Sequence, residues 1–222
     1  MEFKPLQWFF VLNSCEKDYS KSPYIQEYFS AISSFAFFVP YIIRILLLRR
    51  VSLPNGLIKM YYALILVGIT STIFHSRLSY LTQFIDMTSI LVTQLIFAKI
   101  IDMKIPKTFE KLMMIFYVLS FVHPLPLSLN LVILFILFSR WTFSTVSRIN
   151  MMKFTLIAGV SLILKLCALF CIPLDLICTG YEYFHGFWHI FIAAYCFTGL
   201  IGIELLLKSG HLKPKVVESK LL

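Results

Sequence analysis

The sequence predicts an all-α membrane protein, a bundle of seven transmembrane helices with the N-terminus lumenal or external and the C-terminus cytosolic. Three observations predict it. Of the 222 residues, 59% are hydrophobic and the mean hydropathy is +0.84, above the roughly 45–50% apolar content of soluble domains. Apolar stretches of about 20 residues, enough to cross a bilayer, recur along almost the whole chain. Lys and Arg gather in alternate joints between those stretches, the pattern that orients a bundle in a membrane.

The spans fall at roughly 29–48, 57–76, 83–101, 111–123, 127–146, 154–172 and 185–207. The fourth and fifth are separated only by the joint HPLPLS, where Pro124 and Pro126 disfavour a continuous helix. Arg49, Arg50 and Lys59 mark the first joint, and Lys99, Lys104 and Lys107 the third. Arg140, Arg148 and Lys153 flank the fifth joint, and Lys208, Lys213, Lys215 and Lys220 follow the last span. The second joint has only Arg77, and the fourth and sixth have neither Lys nor Arg. Positive joints stay in the cytosol, so the two termini lie on opposite sides and the number of spans is odd. Residues 1–28 are then a lumenal segment with an acidic loop, 29–207 the helical domain and 208–222 a basic cytosolic tail. The first residues lack the basic, apolar and small-residue regions of a signal peptide. The net charge of +9 follows from orientation; no basic stripe with interleaved stacking aromatics points to nucleic acid.

Ionisable residues within spans are expensive and mark functional sites by default. His75 lies near the end of span two, Asp86 opens span three, and His185 and His189 open span seven. Under the charge-derived topology all four meet the lumenal face at one depth. His185 and His189 are four apart and share a helix face, the spacing two imidazoles need for one metal. A third His leaves an open position for water, as in catalytic zinc sites. Asp86 is placed to accept a proton from that water or to orient a ligand, and Ser71, one turn before His75, to hydrogen-bond a polarised carbonyl. A lone interfacial His more often just bonds between helices; four groups at one level favour a site. Lys165 within span six reads as snorkelling or facing the bundle, Arg44 and Glu204 as reaching the interface, and Trp188 as packing.

The segment Ser71-Thr72-Ile73-Phe74-His75, continuing through SRLSYLTQFID to Asp86, is one of three ordered blocks. The others are CEKDYSKSPYIQEYFSAIS near the N-terminus and HGFWH, from His185 to His189. Together, over about residues 13 to 200, they resemble the alkaline ceramidase family of seven-span hydrolases. The resemblance implies that His75, His185 and His189 hold Zn2+ and that Ser71 and Asp86 flank its water. It also implies a Ca2+ site, on the matching positions Asn13, Ser14, Glu16, Asp18 and Glu27, and hard oxygen ligands suit that ion. Asn13-Ser14 stands for the family's Asp-Trp, Asp18 for its usual Asn, Met87 for its Glu, and Arg77 for a small residue. The implied substrate is ceramide, taken from the bilayer and cleaved at its amide to a sphingoid base and a fatty acid. The implied membrane is that of the endoplasmic reticulum or Golgi. A disulfide between Cys15 and Cys178 is implied as well, with Cys171 the competitor, while Cys167 and Cys196 lie within spans as reduced thiols. The competing reading is a non-enzymatic seven-span lipid receptor or lipid-binding protein, which needs no open metal position; a transporter would show paired broken helices.

Overall fold

In the computed structural model, residues 16, 18–47, 55–100, 107–119, 136, 140, 144, 152–177 and 183–210 are described. Every element among them is helical. In chain order these are α1 (Tyr28–Ser33), a 3-10 segment (Ser34–Phe38), α2 (Val39–Leu47), α3 (Asn55–Ser76) and α4 (Tyr80–Ile100). Then come α5 (Lys107–Leu119), α6 (Met152–Ile177) and α7 (Phe184–Lys208). Five stretches are long and apolar enough to cross a membrane: Tyr28–Leu46, Gly56–Ser76, Tyr80–Ile100, Met152–Cys171 and Phe184–Lys208. They coincide with predicted spans one, two, three, six and seven. The helix over Lys107–Leu119 covers part of the fourth, and Ile136, Arg140 and Ser144 are helical within the fifth. The rest of the fifth lies outside the described residues, as do Asn13, Ser14, Cys15, Cys178 and the tail from residue 211.

These helices are apolar outside and polar inside, the reverse of a soluble bundle. On α3, Leu66, Ile69 and Ile73 are exposed while Thr70, Ser71 and His75 are buried. The same holds on α4, where Gln83, Asp86 and Ser89 are buried and Leu81, Ile85 and Val92 exposed. Such a surface suits lipid, and buried polar groups then have to find partners within the bundle. Away from that polar end, Leu57, Leu64, Leu91, Leu200 and Ile203 build an apolar core from α3, α4 and α7.

The first span is not one continuous α-helix. Pro40 has no N–H to give the carbonyl four residues back, and its ring crowds that carbonyl. The chain tightens ahead of it into the 3-10 segment, where the Val39 N–H reaches only as far back as Ala36 O. The bend lays α1 and the 3-10 segment against both α3 and α7. Two glycines permit the approach. A Cβ on Gly68 would meet the Phe38 ring at 3.0 Å and Ser34 O at 3.2 Å, and one on Gly186 would meet the Phe29 ring at 2.3 Å. Helix α6 packs along α7, and α4 along α3.

Arg44 and Glu204 differ from expectation. They do not reach outward: the Arg44 and Glu204 side chains are 7% and 12% exposed and pair across α2 and α7 at 3.8 Å, and Lys208 joins Glu204 at 2.9 Å. Lys165 does face the bundle, buried, with its Nζ 5.5 Å from the centre of the Tyr195 ring on α7.

Candidate metal and hydrolytic site

The site begins with how three helix ends are held. The last carbonyls of α3 lack intrahelical donors, and the stretch just before α1 supplies them. The Gln26 N–H donates to Ser76 O at 3.2 Å and the Glu27 N–H to His75 O at 2.9 Å. This backbone clamp sets Glu27 beside His75, where its Oε2 bonds His75 Nδ1. Helix α4 starts on a Ser79–Thr82 capping exchange, each backbone N–H meeting the other's hydroxyl oxygen at 3.2 Å. That start turns Gln83, Asp86 and Ser89 inward. Glu16 receives the Phe29 and Ser30 N–H groups and the Ser30 hydroxyl, closing the start of α1.

Where α3 and α7 meet, His75, His185 and His189 bring their ligand atoms within 4.8 Å of one another. Ring centroids are 4.8 Å apart for His75–His185 and His185–His189, and 5.0 Å for His75–His189. His75 and His189 are buried and His185 half-buried. The donor set fits zinc. With Nδ1 engaged by a carboxylate, Nε2 is the atom of His75 left to ligate, and a carboxylate–histidine pair is the usual outer support of a zinc ligand. Three imidazoles at this separation match a three-ligand catalytic site.

The hydroxyls around them were only partly foreseen. Ser71 Oγ lies 3.5 Å from His189 Nε2 and 3.0 Å from Ser34 Oγ. Asp86 is buried, its Oδ1 accepting from Thr70 Oγ1 at 3.1 Å; Thr70 meets Ser89 Oγ at 2.8 Å, and Ser89 donates to Asp86 O at 2.7 Å. The carboxylate is within electrostatic reach of His185. Trp188 packs tilted against both rings of its helix, 5.6 Å from His185 and 5.3 Å from His189.

Of the calcium set, Glu16 and Glu27 have the partners just described, and Asp18 Oδ2 accepts from Gln26 Nε2 at 2.7 Å. Asn13 and Ser14 lie outside the described residues, as do both cysteines of the expected disulfide. Cys167 and Cys196 are free thiols, and Cys171 is buried within α6. Sequence reasoning missed Thr70, Ser89, Ser30, Ser33 and Ser34. One signal was available for the last three: serines at i, i+3 and i+4 make a polar stripe on an otherwise apolar helix.

An apolar helical chain with a buried three-histidine cluster of this kind is an integral membrane protein with a site able to hold a metal ion. The sequence model of the ceramidase family matches residues 11–219, most of the chain, and the protein belongs to that family, the alkaline ceramidases. It is accordingly a ceramidase-like hydrolase, an amidohydrolase whose substrate class is a ceramide lipid in a membrane.

Proposed function

We propose that the protein hydrolyses the amide bond of ceramide to a sphingoid base and a fatty acid at a zinc site that His75, His185 and His189 would hold. The observation that carries the reading is the buried cluster itself, three imidazoles with ligand atoms within 4.8 Å, one of them backed by a glutamate. Bound there, zinc supplies a water acidified to a pKa of about 7 and a Lewis acid for the amide carbonyl. Asp86 takes the water's proton as it attacks the amide carbon, and returns a proton to the departing amine. Thr70 holds Oδ1 of that carboxylate, so Oδ2 is the oxygen that handles the proton. Ser71 donates to the oxygen on which negative charge develops.

Seven spans with a lumenal N-terminus put this chemistry at the headgroup level, where ceramide carries its amide. The lipid then enters sideways with its chains still in the bilayer, in the endoplasmic reticulum or Golgi. Asn13, Ser14, Glu16, Asp18 and Glu27 are the ligands of a calcium ion, which their oxygen chemistry supports.

The test is purification in detergent, elemental analysis for zinc and a ceramide panel assayed for released fatty acid. Stoichiometric zinc with fatty-acid release is expected. A metal-free protein that hydrolyses ceramide at full rate would sink the zinc assignment.

A further inference from the structure

We propose that Ser33 is a positioning residue for His189, holding that ring in the tautomer the Ser30 carbonyl selects, with Nε2 toward the metal; this rests on the zinc reading above. Nδ1 of His189 lies 2.9 Å from Ser33 Oγ and 3.1 Å from Ser30 O. A hydroxyl beside an imidazole can donate or accept, so alone it selects no tautomer. Here the Ser30 carbonyl decides, because the single Ser33 proton is donated to it at 2.9 Å. Ser33 Oγ then offers Nδ1 only lone pairs, and so does the carbonyl. Two acceptors at one nitrogen require Nδ1–H, which puts the lone pair of the neutral ring on Nε2. That is the nitrogen on the Ser71 side.

The arrangement is built into the packing. Ser33 is buried, and its Oγ sits 3.1 Å from where a Cβ on residue 186 would stand. Bare Gly186, one residue after His185, gives it room. Glu16 fixes the Ser30 backbone from the other side through the Ser30 N–H and hydroxyl. His75 reaches the same tautomer through Glu27, a partner that adds a negative charge. Ser33 orients the deeper ring, only 1% exposed, without adding one.

The test uses the full chain in detergent, loaded with zinc and challenged with a competing chelator, and separately loaded with cobalt for its visible absorption. Removing a hydrogen-bond partner of a ligating histidine typically costs 10–100-fold in metal affinity. Because the Ser30 carbonyl remains, Ser33→Ala should weaken zinc by about 10-fold, the lower end of that range, and alter the cobalt spectrum. Ser161→Ala is the comparison: it removes a buried hydroxyl bonded to Thr198 at 2.7 Å between α6 and α7, and should hold zinc like wild type. Should Ser33→Ala fail to fold, Ser33→Cys keeps the shape with a weak acceptor and should also lose zinc faster. Wild-type retention in the Ser33 variants overturns the proposal. So does equal loss in Ser161→Ala, which would make the effect general loosening. Wild-type protein that takes up no zinc overturns the metal reading, and this inference with it.

Discussion

His75 and His189 sit one turn or less from lipid-facing Ile73 and Ile190, yet each is almost wholly buried. At such positions a side chain's value lies in one or two atoms, so single substitutions should separate the roles. His185→Ala or His189→Ala leaves two ligands and should abolish both hydrolysis and most zinc, read by metal analysis beside a ceramide assay. Asp86→Asn should instead keep zinc and lose roughly 10²–10⁴-fold in rate, the usual worth of general acid–base catalysis. Full activity in Asp86→Asn would remove Asp86 from the chemistry. For the calcium loop, strong calcium chelation that leaves zinc in place should lower activity, and Glu16→Gln should mimic it. Activity indifferent to chelation would leave Glu16 with only its observed task of closing the start of α1.

At the level of helices, the apolar length of spans one, two, three, six and seven was legible, because lipid exposure demands a run of about 20 residues. The convergence of the three histidines was legible too, since charge-based orientation brings the ends of spans two and seven to one side. The supporting shell was not. Ser33 and His189 are 156 residues apart and Glu27 and His75 are 48 apart, and no spacing rule links such pairs. Glu27 was read from family resemblance as a calcium ligand; that the backbone clamp on α3 also sets its Oε2 against His75 was not foreseen. The Pro40 bend was equally hidden, because hydropathy does not distinguish 3-10 from α. Gly186→Ala tests this packing. Its Cβ would stand 2.3 Å from the Phe29 ring, so α1 must shift, at about 1–3 kcal/mol for an overpacked site. Thermal unfolding in detergent measures it, and an unchanged midpoint would mean that α1 gives way freely.

Across the whole molecule, the first span grips the last at two levels. Near the histidines Ser30 and Ser33 hold His189, and toward the far end Arg44 holds Glu204. Breaking a buried ion pair by removing one partner costs about 3–5 kcal/mol, whereas replacing both with apolar residues is often neutral. Glu204→Gln should therefore lower thermal stability clearly, and Arg44→Met with Glu204→Met should restore most of it. A double variant as unstable as the single one would assign the pair a role beyond packing. The predicted Cys15–Cys178 bridge would add a third tie, worth about 2–4 kcal/mol at most in a chain the membrane already restrains. Cys171, its competitor, is buried in α6. Non-reducing peptide mapping of fresh protein should find Cys15 and Cys178 joined; a free thiol at Cys15 would count against both the bridge and the lumenal N-terminus.

The serine stripe of the first span has a consequence for how the protein is made. Ser30, Ser33 and Ser34 are buried in the finished protein, and Ser33 finds its histidine 156 residues further along the chain. At roughly 5–20 residues per second of translation, that histidine leaves the ribosome on the order of ten to thirty seconds later. The hydroxyl protons have partners before that, Ser30 on Glu16 and both Ser33 and Ser34 on the Ser30 carbonyl. What a chain cut short before α7 lacks is the ring of His189, the partner that meets the remaining lone pair of Ser33.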